Sequence, residues 1–90
     1  MSMNEKEWIE KLKGEGFKNI KTETHELYTE FPEHVHETPA IYVVLEGSLT
    51  LTDAFESRTA KKGDWFNVPA GAVHTVKCGW QTCVFITGHK

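Results

Sequence analysis

His34 and His36 stand one residue apart in His34-Val35-His36, and His74 closes the run Pro69-Ala70-Gly71-Ala72-Val73-His74. Residues at i and i+2 of a strand point to the same face, roughly 6 to 7 Å apart along it. If the two segments fold as neighbouring strands, three imidazoles meet at one point. Three neutral imidazole nitrogens suit a divalent transition metal and leave coordination positions open for water or a ligand. The expected cofactor is therefore an ion of Zn, Fe, Ni, Cu or Mn on His34, His36 and His74. The alternative is a set of hydrogen-bonded barrel histidines with no ion.

Other chemistry-bearing residues are sparse. Tyr42 falls on the histidine face if the strand runs on unbroken, which makes it the one candidate catalytic group. Its phenol either hydrogen-bonds a ligand or a metal-bound water, or packs in the core with its hydroxyl satisfied. No serine or cysteine sits in a nucleophile elbow. No glycine-rich phosphate loop opens a helix, because Gly14-Glu15-Gly16 ends one instead.

The elements that must position these groups are mostly strands. Residues 4–13 read as a helix, capped by Asn4 with Glu7 three residues on. Trp8, Ile9 and Leu12 form its apolar stripe, and it must dock on the outside of a barrel or on a partner subunit. Residues 17–31 suggest two short strands with a break near 23–26. Residues 34–52 form the longest strand-like stretch. Parity from the histidines puts Ala40, Tyr42 and Val44 on their face and sends Ile41, Val43 and Leu45 outward, where they need cover.

Gly47 fits a bend or bulge, and Leu49 and Leu51 alternate with Ser48, Thr50 and Thr52 on the continuing strand. Residues 53–57 read as a turn, 58–60 as a short strand, 65–68 and 73–78 as strands, 79–82 as a hairpin connection and 83–87 as the last strand. Gly88-His89-Lys90 reads as a frayed tail with His89 in solvent. Many short strands after one helix argue for an all-β fold, a small antiparallel barrel or sandwich.

The two histidine segments resemble the paired signature motifs of the cupin superfamily. The second motif, G-x5-P-x-G-x2-H, is matched at every defined position from Gly63 to His74. The first is matched at His34, His36 and Gly47. Together they span roughly residues 28–80. The chain is thus identified as a small single-domain cupin over residues 1–90, with a jelly-roll-like barrel over about 17–88. Three positions depart from the pattern. The glutamate that usually completes the metal site falls on Ala40, the glycine that usually opens the first motif on Tyr28, and the asparagine that usually closes the second on Cys78. Glu37 can stand in for the glutamate only if a bulge near Pro39 turns it inward. His25 can enter the lumen from an earlier strand.

The resemblance implies dioxygenase, isomerase or lyase chemistry if the protein is an enzyme, and a homodimer as its assembly. The rival reading is a non-catalytic module that binds or senses a small molecule, with or without metal. Ninety residues allow one domain with a thin core. A net charge of −3 without a basic stripe argues against nucleic acid. No run reaches the length of a membrane span. The opening MSMNEKEW lacks the apolar stretch of a signal peptide, so the expected location is cytoplasmic. That setting favours Cys78 and Cys83 as buried free thiols, although they can face each other across the hairpin.

Overall fold

The computed structural model describes residues 3–35 and 37–90, and of residues 33 and 34 the backbone alone. One helix precedes eight strands. Helix α1 (Glu5–Gly14) starts at a reciprocal capping box. The Asn4 side chain accepts from the Glu7 N–H at 2.9 Å, and the Glu7 carboxylate accepts from the Asn4 N–H at 3.1 Å. These bonds satisfy donors that a helix end leaves orphaned. The strands are β1 (Lys18–His25), β2 (Glu30–Val35), β3 (Ala40–Glu46), β4 (Ser48–Thr52), β5 (Ser57–Lys61), β6 (Trp65–Val68), β7 (Val73–Cys78) and β8 (Cys83–His89).

They form two four-stranded sheets of order β1-β8-β3-β6 and β2-β7-β4-β5. Every strand pairing is antiparallel. The alternation along each strand splits the apolar residues into two layers. Between the sheets lie Tyr42, Val44, Leu49, Leu51, Val76 and Phe85 with their neighbours. On the outer face of the first sheet, Ile41, Val43 and Ile86 pack under Trp8, Leu12 and Phe17. The cover that the double-faced apolar run of β3 requires is therefore α1. Trp65 lies half-exposed on that outer side, its ring 5.5 Å from Trp8.

Four boundaries or states differ from the sequence reading. The break expected at 23–26 falls at 26–29, because Thr29 Oγ1 and N–H both bond the Glu26 carbonyl and close a turn there. Residues 34–52 are not one strand: β2 ends at Val35 in one sheet and β3 begins at Ala40 in the other. The tail is not frayed, since β8 runs to His89 between Lys18 and Ala40. The Lys90 N–H donates to the Pro39 carbonyl at 2.9 Å. The cysteines are not free thiols. Cys78 and Cys83 are both buried and joined as a disulfide, with Cα atoms 6.0 Å apart. That bond ties β7 of one sheet to β8 of the other. Gly47 lies against it, with φ +74, where a Cβ would come within 2.7 Å of the Thr82 carbonyl oxygen.

Tyr28 has a φ of 57°, in the left-handed region. This is the position where the cupin motif usually carries glycine, so the turn keeps the glycine geometry without the glycine. An L side chain there costs about 1 to 2 kcal/mol. Tyr28→Gly is therefore expected to raise the stability by about 1 kcal/mol, after the extra backbone entropy of glycine is subtracted. Urea unfolding checks this. A fall instead would mean that the Lys77 ammonium, 6.0 Å from the Tyr28 ring centroid, contributes more than the strain costs.

Candidate functional site: a histidine and tyrosine lumen between the sheets

The space between the sheets carries a row of rings contributed by several strands. His74, on β7, is 2% exposed. Its ring centroid lies 6.2 Å from that of Tyr42 on β3. Tyr42 lies 6.0 Å from Phe85 on β8, which in turn stacks on His25 of β1 at 5.5 Å. Face alternation explains the convergence. His74 shares its inward parity with Val76 and Cys78, and Tyr42 shares its own with Ala40 and Val44.

The His74 tautomer is set by the backbone. Nδ1 lies 3.1 Å from the Ala72 carbonyl oxygen. A carbonyl only accepts, so Nδ1 carries the hydrogen and the lone pair of the neutral ring sits on Nε2. This is how a metal-ligating histidine is commonly oriented, its other nitrogen donating to a carbonyl. The Pro69-Ala70-Gly71 turn delivers Ala72 to that place, its N–H donating to the Pro69 carbonyl at 3.3 Å.

His34 lies on β2, and the ladder sets its Cα directly opposite that of His74. Its side chain is outside the described residues, and so is the whole of His36. Among the described residues, no group of three or more His, Cys, Asp or Glu side chains comes together as a metal site. Ala40 is buried and faces the lumen, so a methyl occupies the place of the usual carboxylate. Glu37 is exposed, and no inward turn brings it to the lumen. His25 does enter the lumen, half-buried, with Nε2 3.1 Å from the Glu23 carboxylate.

The surroundings of Tyr42 shift its titration. Burial, and secondarily the Glu23 carboxylate, push its phenol up to about 12. At neutral pH it is thus a hydrogen-bond donor and not a base. The fold favours the neutral phenol, so its contribution is fully present below the ordinary tyrosine pKa of about 10. It is lost as pH rises through about 12. Unfolding in urea is expected to become easier by roughly 2 to 3 kcal/mol across that window. Tyr42→Phe should remove the window, and an unchanged pH profile in the variant would assign it to another group.

A cavity of about 210 Å³ opens beside the ring row, lined by Ala40, Tyr42, Phe85, Thr87 and His89 among others. Lys21, Glu23, Thr87 and His89 had no place in the sequence reading of the site. The signal was present as parity. Lys21 and Glu23 alternate with His25 on β1, and Thr87 and His89 alternate with Phe85 once β8 is carried through Gly88.

The architecture and the motifs agree with the comparisons. The family model described as Cupin domain matches residues 24–86, and the chain belongs to that family. No curated protein matches the chain in sequence. Its fold is similar to a cupin superfamily protein from Desulfitobacterium hafniense, at 17% identity and a TM-score of 0.72, covering 78% of this chain and 63% of that one. A cupin-like protein from Thermotoga maritima is similar at 22% identity and a TM-score of 0.73, covering 79% of this chain and 55% of that one. A cupin-2 domain containing protein from Shewanella frigidimarina shares 20% identity at a TM-score of 0.67, covering 80% of this chain and 71% of that one. The chain thus spans less than two thirds of the first two neighbours. No helix among the described residues is long and apolar enough to cross a membrane.

Proposed function

We propose that the domain is a metal-binding cupin that holds one divalent transition ion on His34, His36 and His74 and takes a small molecule at the open coordination positions. The observation that carries this reading is the fixed tautomer of buried His74, whose Nδ1–H is committed to the Ala72 carbonyl. Two further features support it. Opposite positions of an antiparallel ladder share a face, and His34 is opposite His74. Tyr42, beside His74, offers a neutral phenolic donor. The bound ion would act as a Lewis acid on a ligand oxygen. Without the usual carboxylate, three neutral ligands leave its full charge, which favours anionic ligands.

Untagged protein should be stripped, reconstituted with Zn, Fe, Ni, Cu and Mn in turn, and subjected to elemental analysis. One ion per chain is expected with at least one metal, and none with any of them ends the proposal. A second reading, a metal-free binding module, is favoured by the cavity itself, whose walls offer charged and hydroxyl groups that need no ion. The lumen holds no described group suited to act as a base near neutral pH beyond its histidines and the Glu23 carboxylate. A catalytic assignment therefore waits on a substrate consumed in a His74-dependent way.

A further inference from the structure

The ladder aligns three hydrogen-bond donors across the cavity wall. Thr87 of β8 is the register partner of Lys21 on β1 and of Tyr42 on β3. All three line the same cavity. Thr87 is 5% exposed, and its Oγ1 has no hydrogen-bond partner among the described residues. A buried hydroxyl without a partner is costly, so one that faces a cavity marks a place for a ligand acceptor. Lys21 has no ion pair among the described residues, although the Glu23 carboxylate is two residues away on the same strand and lines the same cavity. Glu23 bonds His25 instead. A positive and a negative group thus flank one opening without satisfying each other.

The facing sheet contributes apolar wall from Phe31 and Val76, and Ala40 and Phe85 flank the polar row on its own sheet. The volume is about 210 Å³. It lies below the range of pockets for drug-sized ligands, roughly 300 to 1,000 Å³. These walls would suit a small molecule that carries both charges and a short apolar part.

We propose that this cavity binds a free α-amino acid with a short aliphatic side chain. Its carboxylate meets Lys21 and Thr87 Oγ1, and its ammonium meets Glu23. The proposal rests on the reading of the lumen as a small-molecule site and deepens it by naming the ligand class. It does not require the ion.

The test titrates L-leucine, isocaproate (leucine without its amino group) and isoamylamine (leucine without its carboxyl) by calorimetry. Wild type, Lys21→Met, Glu23→Gln and Thr87→Val are compared in chelator-stripped and metal-reconstituted form, with circular dichroism to confirm folding. Leucine should bind wild type at least about tenfold more tightly than either fragment, the margin of one charge-assisted contact. Lys21→Met should weaken leucine and isocaproate alike. Glu23→Gln should bring leucine down to isocaproate, and Thr87→Val should weaken both carboxylates. Fragments that match leucine, substitutions that change nothing, or no binding of any probe in either form would overturn the proposal. Metal uptake without leucine binding defeats this inference alone. The leucine pattern in a protein that takes up no metal defeats the ion and leaves the amino acid site standing.

Discussion

Replacing Phe85 with alanine is expected to destabilise the domain by about 3 to 5 kcal/mol. Phe85 is 1% exposed and lies at the crossing of the lumenal rings. It meets Phe31 edge-on at 6.0 Å, His25 in a stack at 5.5 Å and Tyr42 edge-on at 6.0 Å. Phe31 comes from the second sheet and the others from the first, so the ring joins the two layers. Its removal takes away buried area and these ring contacts, and leaves a void beside an existing cavity. In a chain of 90 residues the whole stability is of order 5 to 15 kcal/mol, so this one loss consumes a large share. The urea midpoint should fall by more than about 1 M. A loss below about 1 kcal/mol would show that the sheets are held together by the rest of the layer between them, Val44, Leu49, Leu51 and Val76.

The second large effect concerns the ion. His74→Ala is expected to weaken binding of the reconstituted metal by more than about 100-fold, beyond the roughly 10- to 100-fold that loss of an outer hydrogen-bond partner costs. Two imidazoles, from His34 of β2 and from His36, would remain, with no ligand from β7. Ala72 supplies its carbonyl through the backbone, so a side-chain change there should leave the site oriented. The comparison of His74→Ala with Ala72→Ser therefore separates loss of a ligand from general loosening of the turn. Competition with a chromophoric chelator reads both affinities. Equal weakening in the two variants would place the ion elsewhere.

Much of the fold was legible because alternation in this chain is clean. The β3 run Ile41-Tyr42-Val43-Val44-Leu45 announces burial on both faces, and the structure assigns one face to the lumen and the other to α1. The capping box at Asn4 and Glu7 and the strands 65–68 and 73–78 follow from local chemistry alone. What local chemistry does not carry is partnership across the sheet. The C-terminal Gly88-His89-Lys90 looks like a tail until β1 and β3 are known to pair with it on both sides. The half-exposed Trp65 looks like core until Trp8 is placed beside it. The disulfide is a case of competing signals. Hairpin spacing allowed it, and expected compartment argued against it. The expected 79–82 hairpin is instead a crossing between sheets, and the bridge ties β7 of one sheet to β8 of the other.

The site was legible in part. His74, Tyr42 and Ala40 were assigned to one lumen, and all are buried there. His34 was expected near His74 and is its register partner. The parity count from His34 and His36 to Ala40 passed from β2 of one sheet to β3 of the other, so the inward face of Ala40 owes nothing to strand continuity. Lys21, Glu23 and Thr87 were passed over because single charged and hydroxyl residues on short strands carry no spacing signature. They become a group only when three strands are laid side by side.

The most direct measurement is an anomalous-scattering crystal structure of protein reconstituted with Zn, recorded on both sides of the metal edge. The expected result is a single peak within about 2.0 to 2.1 Å of His74 Nε2 and of nitrogens from His34 and His36. A lumen without such a peak in metal-reconstituted crystals, or a peak bound only by His25 at the far end of the ring row or by His89 of the cavity wall, would contradict the three-histidine centre.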